Sequence, residues 1–257
     1  MEHITYEVRD RIAEIVLNRP EKRNAFNGEL IAELRQAFTQ AEKDETVKVI
    51  RLSAEGKVFS AGADLGYIQA MQAYTYEQNL EDSTNLMELY QQIYTHPKIV
   101  VAQIQGSAIA GGCGLATVCD FSFAVDTAEF GYTEVKIGFV PALVMVFLLR
   151  KIGEGKAKEL LLTGKLISAK AAMEMGLINE VLPADALVAR VDAFLAELCV
   201  GASAQSLQMT KQMIAKVQDL PLREGLLFAA QSNAQARSST DLKNGIQAFL
   251  NKQKIRW

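Results

Sequence analysis

The apolar and polar positions divide the chain into two kinds of pattern. Over residues 6–17 they alternate in two short runs of strand type, interrupted at Arg9-Asp10-Arg11, which predicts a hairpin. Asn18-Arg19-Pro20 ends the second run. Leu30, Ile31, Leu34, Ala37, Phe38 and Ala41 then recur at helical spacing after Asn27-Gly28. Residues 47–52 read as a strand, 53–66 as a loop rich in Gly and Ala, and 76–94 as a long, mostly polar helix. Residues 99–104 and 121–125 read as buried strands, with a helix opening at Gly111 between them. Strand and helix alternating at this spacing predict α/β layering with right-handed crossovers. Beyond Pro141 the strand signal fades, and residues 157–162, 169–175, 187–198, 206–217 and 222–237 carry helical periodicity. A helical tail of this size buries little by itself, so it is expected to pack on a neighbouring subunit.

Composition narrows the function. A chain of 257 residues, 49% hydrophobic, can bury one large core or a core with a small appendage. A net charge of -3 points away from nucleic acid and from anionic membrane surfaces. Met1-Glu2-His3-Ile4-Thr5 lacks the basic start and apolar run of a secretory signal. The longest apolar stretch, from Phe139 to Leu149, is too short for a bilayer and contains Pro141. Cys113, Cys119 and Cys199 have no metal-ligand spacing, so buried thiols in a reducing cytoplasm, with no metal, are expected. The two histidines are His3, near the terminus, and His96, just before Pro97. A histidine-based catalytic triad is therefore not expected, which leaves carboxylates and backbone amides to carry chemistry.

Three segments offer them. Phe59-Ser60-Ala61-Gly62-Ala63-Asp64-Leu65 and Gly106-Ser107-Ala108-Ile109-Ala110-Gly111-Gly112-Cys113-Gly114 each follow a strand. Small residues let a ligand approach the backbone. The second segment also runs into a helix, whose free N–H groups favour a developing negative charge. Two such loops could aim two donors at one oxygen, as an oxyanion hole does. Tight turns or close helix–strand packing would explain either loop alone. Neither fits a dinucleotide fingerprint or a phosphate-binding P-loop. The third segment, Phe130 to Pro141, sets Glu134 among apolar residues. Desolvation there would raise its pKa toward the range of a general acid or base; a surface glutamate or a pair with Lys136 is the plainer alternative. Cys113 has no base within sequence reach to make it a nucleophile. Residues 144–149 read as core, or as the wall of an acyl pocket.

In order and spacing these segments resemble the crotonase (enoyl-CoA hydratase/isomerase) family. The resemblance runs from Asn18-Arg19-Pro20 with Asn24-Ala25 to Phe249 and Lys252. Ala61-Gly62-Ala63-Asp64-Leu65 resembles the family's first oxyanion loop. Gly111-Gly112-Cys113 and Cys119-Asp120 resemble the second loop and the helix after it. Phe130-Gly131 through Glu134, and Gly138 to Pro141, resemble the acid segment. The resemblance implies an α/β spiral of ββα units over residues 1–195 and a C-terminal helical trimerisation region over 196–257, assembled as a homotrimer or hexamer. It implies an acyl-CoA thioester as substrate, with coenzyme A entering as part of it and no separate cofactor. Ala63 and Gly111 would hold the thioester oxygen through their N–H groups, with Glu134 as general acid/base. Ala25, Ala61, Gly62, Asp64 and Leu65 would line the adenine and pantetheine path, and Phe249 and Lys252 would reach the CoA of a neighbouring subunit.

One departure matters. Hydratases of the family carry a glutamate directly after the Gly-Gly-Cys stretch, where this chain has Gly114. A glycine moves no proton, and losing a proton-transfer group costs about 10²–10⁴-fold. Isomerisation or decarboxylation is thus expected over hydration, with a genuine hydratase or a non-catalytic acyl-CoA binder as alternatives. Glu77, Glu81 or Asp82 could supply a relocated acid, and Tyr67 or Tyr132 a hydroxyl; Asp120 is expected to be structural. A glutamate restored at position 114 is expected to raise hydration.

Overall fold

The computed structural model describes residues 1–257. β1 (Ile4–Arg9) and β2 (Ile12–Leu17) pair antiparallel across a two-residue turn in which Asp10 and Arg11 have φ of 48° and 70°. Two left-handed residues in succession match the right-handed twist of the strands they join. α1 (Gly28–Lys43) starts where the Asn27 side chain accepts a hydrogen bond from the Leu30 N–H at 3.0 Å, and it buries the predicted apolar stripe. β3 (Val49–Ala54), α2 (Leu65–Met71), α3 (Tyr76–Thr95), β4 (Ile99–Ile104), β5 (Ala108–Ile109), α4 (Gly111–Val118) and β6 (Phe121–Val125) follow. β7 (Glu129–Gly131), α5 (Ala142–Thr163), β8 (Ile167–Ser168), α6 (Ala169–Met175) and β9 (Glu180–Leu182) complete the body.

Six strands form one sheet in the order β1-β2-β3-β4-β6-β9, parallel from β2 onward. β5, β7 and β8 form a second, smaller sheet. Parallel neighbours need crossovers, and helices supply them. The central strands are apolar on both faces, with Val49, Ile50, Leu52, Val100, Val101, Ala102 and Ile104 all buried. The strands β5, β7, β8 and β9, two or three residues each, are too short to show a period in the sequence, and α2 buries no residue and so shows no apolar stripe. The helix expected over 157–162 is the second part of α5, whose helical dihedrals break at Gly153 (φ 76°, ψ 165°).

The last four helices are α7 (Leu187–Gly201), α8 (Ala204–Val217), α9 (Leu222–Ala236) and α10 (Thr240–Leu250). α7 belongs to the body: it packs on β3, β4 and β6 and buries Leu187, Val191, Leu195 and Cys199 along one face. A division at 195/196 falls inside this helix, and the chain turns only at Ala202–Ser203. α10 has no buried residue, and Leu222, Leu226, Leu227, Phe249 and Leu250 are exposed. No helix is long and apolar enough to cross a membrane.

Lysines close many of the helices. A helix C-terminus leaves carbonyls unpaired and carries partial negative charge, which an ammonium group neutralises. Lys151 donates to Thr117 O and Cys119 O at 2.8 and 3.1 Å at the end of α4. Lys48 serves α7 through Cys199 O (2.8 Å) and Ala202 O, and Lys98 serves α1 through Ala41 O and Asp44 O. Lys211 serves α3 through Ile93 O (3.1 Å) and also ion-pairs with Asp120 at 2.6 Å. These cations link consecutive layers and hold the ends of α3 and α4, which flank the site.

Candidate active site

Three loops lie edge to edge, the second and third of them carrying β5 and β7 of the small sheet. The Phe59 and Ser60 N–H groups donate to Ser107 O at 3.1 and 3.3 Å, and the Ile109 N–H donates to Ser60 O at 2.9 Å. The Ala110 N–H donates to Gly131 O at 2.7 Å, which sets the second loop beside the segment leading to Glu134. On the far side of the first loop, the Phe26 N–H donates to Gly62 O (2.6 Å) and the Asp64 N–H to Phe26 O (2.9 Å). In that parallel pairing the Ala63 N–H points away from Phe26 and finds no acceptor in the protein. The Gly111 N–H, at the first position of α4, finds none either.

The small residues of the two loops have separable reasons. A Cβ on Gly112 would lie 2.4 Å from Ser60 O, so this glycine lets α4 pack on the first loop. Gly62 has φ 84°, and a Cβ there would meet Ala110 Cβ at 2.8 Å and the Gly111 nitrogen at 3.2 Å. Its absence lets the two loops touch and leaves the two free N–H donors on adjacent strands of backbone.

Glu134 opens a short 3-10 turn (Glu134–Ile137) that Gly138 closes with φ 77°. Its Oε2 is buried without a hydrogen-bond partner, and no basic residue, Lys136 included, pairs with it. Burial pushes its pKa above the ordinary carboxylate value of 4.5, with a hydrogen bond to its own backbone opposing in part. Its charge reaches Tyr90 and Cys113. A half-buried acid with an orphaned oxygen, one segment from two unused amide donors, is suited to moving a proton while an oxyanion is held.

The space beside Gly114 is filled. A Cβ on Gly114 would meet Val144 Cγ1 at 2.3 Å, the Tyr90 hydroxyl at 3.0 Å and Tyr90 Cζ at 3.2 Å. Tyr90 descends from α3, is fully buried, and donates its hydroxyl to Gly111 O at 2.8 Å. From sequence, Val144 is only the first residue of a segment read as core or pocket wall, and Tyr90 is one unremarked position in the 76–94 helix. A usable signal existed: Leu86, Leu89, Tyr90 and Ile93 form the one apolar stripe on α3, and a tyrosine there needs a buried partner for its hydroxyl.

The other residues singled out from sequence fall into place by their partners. Asp64 accepts from Gly66 N–H (2.9 Å) and Tyr67 N–H (3.4 Å) as the cap of α2, and its second oxygen takes Arg19 at 3.0 Å. Burial alone would raise its pKa, but Arg19 and the two amides outweigh this and hold it low. Arg19 also donates to Ala25 O at 3.0 Å, so Ala25 and Asp64 brace the loop of Ala61 and Gly62. Leu65 is 70% exposed beside it. Phe249 and Lys252 lie on the tail, where Phe249 (82% exposed) lines an apolar recess of about 580 Å³ between α8, α9 and α10.

The structure brings none of the proposed replacement acids to Glu134. Asp82 accepts a hydrogen bond from the Tyr67 hydroxyl at 2.5 Å, and with Glu81 it lines a cleft between α1 and α3. It stands eight residues before Tyr90, roughly 12 Å up the helix axis. Glu77 is exposed in the first turn of α3. Tyr132 is buried with its hydroxyl 2.6 Å from Thr117 Oγ1. Asp120 is structural, as expected: it takes Lys211 and the Val100 N–H. Burial pushes the Cys113 thiol up to about 12, so it is protonated and inert at neutral pH. His96 is likewise buried, its pKa lowered to about 4 by desolvation, with Phe38 O 3.2 Å from Nε2.

The enoyl-CoA hydratase/isomerase family model matches residues 7–257. A Thermus thermophilus protein that carries the name enoyl-CoA hydratase provisionally is 42% identical over 246 residues, 96% of this chain and 97% of that one. A solved structure from Legionella pneumophila, titled as an enoyl-CoA hydratase/isomerase (crotonase), superposes with a TM-score of 0.90 at 35% identity, covering 99% of this chain and 98% of that one. One from Shewanella pealeana, an enoyl-CoA hydratase, reaches 0.93 at 29% identity over 99% and 96% of the two chains. Fold and site together thus define a crotonase-type enzyme. The chain belongs to the enoyl-CoA hydratase/isomerase family, whose members act on acyl-CoA thioesters.

Proposed function

We propose that this chain forms and reprotonates a thioester enolate with Glu134 as its single carboxylate, and that it shifts a double bond or releases carbon dioxide rather than adding water. The Ala63 and Gly111 N–H groups hold the thioester oxygen; such donors are worth roughly 3–4 kcal/mol each. The loop of Ala61, Gly62, Asp64 and Leu65, braced at Ala25, lines the path of the CoA moiety. In a trimer or hexamer Phe249 and Lys252 reach the CoA of the adjacent subunit.

Proton accounting supports this choice. Isomerisation takes one proton from the α carbon and returns it to the γ carbon, so one carboxylate can serve both steps. Decarboxylation releases carbon dioxide and needs one proton delivered to the α carbon. Hydration needs a water deprotonated while the α carbon is protonated, and this is the work that family hydratases divide between two glutamates. The observation that carries the proposal is the packing at Gly114, where Val144 and Tyr90 occupy the room a second carboxylate would need. The name of the Thermus thermophilus relative favours a second reading, a true enoyl-CoA hydratase that holds its water by other means. Parallel assays of one purified sample separate them. Isomerisation of a 3-enoyl-CoA well above hydration of crotonyl-CoA supports the proposal; hydration at the faster rate supports the second reading.

A further inference from the structure

The turn that carries Gly111 is costly to hold. Ala110 has φ 50° and ψ −123°, a conformation that side chains with a Cβ rarely adopt. Such a residue is strained and persists where its surroundings over-determine it. Two hydrogen bonds do so here. Before the turn, the Ala110 N–H donates to Gly131 O at 2.7 Å. After it, the Tyr90 hydroxyl donates to Gly111 O at 2.8 Å. The Gly111 N–H lies between these two anchors.

Tyr90 is placed to be a rigid anchor. It is 0% exposed, and its ring meets Phe147 edge-on with centroids 6.2 Å apart. Burial, and then the charge of Glu134, push its pKa up, so the hydroxyl keeps its proton and remains a donor. Its oxygen lies where a Cβ on Gly111 would come within 3.2 Å and one on Gly114 within 3.0 Å. A side chain at 114 and this anchor therefore compete for one space.

We propose that Tyr90 is a positioning residue for the oxyanion hole: its hydroxyl clamps the Ala110–Gly111 turn so that the Gly111 N–H keeps its aim at the thioester oxygen. The proposal rests on Gly111 being a donor to that oxygen. It also gives the glycine at 114 a purpose, because the anchor from α3 and the second glutamate are alternative occupants of the site.

The test is Tyr90→Phe in the full chain, with crotonyl-CoA labelled at the thioester carbonyl as the infrared probe. In the wild type, binding should lower the carbonyl frequency, as hydrogen bonding to the oxygen requires. The variant should fold and bind free coenzyme A as the wild type does. Its carbonyl shift should shrink, and kcat for 3-enoyl-CoA isomerisation should fall about tenfold at little-changed KM, a fraction of the 10²–10³-fold that losing a donor outright costs. A ring-fluorinated tyrosine at 90, a stronger donor of the same shape, should enlarge the carbonyl shift, and it decides the matter should the Phe variant unfold. A folded Tyr90→Phe with wild-type kcat and carbonyl frequency would overturn the clamp, as would a fluorotyrosine protein with an unaltered frequency. A wild type that leaves the thioester carbonyl unshifted would remove the oxyanion hole itself, and the clamp with it.

Discussion

Restoring the absent glutamate by Gly114→Glu ought to create a hydratase if chemistry alone decided. Packing argues otherwise. The first added atom, Cβ, meets Val144 Cγ1 at 2.3 Å and the Tyr90 hydroxyl at 3.0 Å before any carboxylate is built. Val144 and Tyr90 are both buried, so neither can swing into solvent. Overpacking of this kind costs typically about 1–3 kcal/mol. At roughly 2–4 °C per kcal/mol for a chain of this size, that is a fall of about 2–12 °C in melting temperature. Two carboxylates in one dry site would add repulsion, raising the pKa of at least one. The single variant should therefore melt earlier and gain no hydration. Gly114→Glu with Val144→Ala removes the worst contact and should recover part of the melting temperature and hydrate crotonyl-CoA faster than wild type. Loss of enoyl-thioester absorbance and a thermal melt, run on the same samples, read both quantities. A single variant as stable as wild type would refute the packing argument. A stable double variant with no gain would show that the missing carboxylate is not what limits hydration.

Other consequences are as direct. Glu134→Gln should cut turnover by about 10²-fold or more while CoA affinity holds, as steady-state kinetics and calorimetry would show. Because burial raises the Glu134 pKa in the fold, ionising it costs stability as pH rises from 4.5 through the raised value. Glu134→Gln should thus melt no lower than wild type at pH 7, and the acid limb of the rate profile should lie above the ordinary carboxylate range and vanish in the variant. Lys211→Met leaves the partly buried Asp120 without its cation and should cost about 3 kcal/mol, the low end for breaking a buried pair, in chemical denaturation. The exposed apolar residues of α9 and α10 should be covered in solution, so light scattering should give a trimer or hexamer; a monomer at micromolar concentration would remove the cross-subunit role of Phe249 and Lys252.

Much of this architecture is legible in the sequence because its signals are long and periodic. The stripe from Leu30 to Ala41 and the runs at 99–104 and 121–125 lie where helix and strands form. The two small-residue loops and Glu134 stand out locally, as small residues beside a helix start and an acid among apolar neighbours, but the choice of Ala63 and Gly111 within those loops comes from the resemblance to the crotonase family. What sequence could not show is contact between distant segments. Tyr90 reaches Gly111 across 21 positions, and Val144 reaches Gly114 from beyond two intervening strands, β6 and β7, of different sheets. The glycine at 114 read as a missing acid; in the fold it is the gap into which two other side chains pack. Asp64 is expected from the resemblance to line the CoA path; what the fold adds is that its oxygens take Arg19 and two amides and so brace that loop.

The central claim is that Glu134 exchanges a proton with the carbon next to the thioester, whatever the overall reaction. Incubating the protein with butyryl-CoA in deuterated water and following the mass of the acyl group isolates that step, because a saturated thioester can neither isomerise nor take up water. The wild type should install deuterium at the α carbon, and Glu134→Gln should do so at least about 10²-fold more slowly. Exchange at equal rates in the two proteins, or none in a wild type that binds butyryl-CoA, would contradict it.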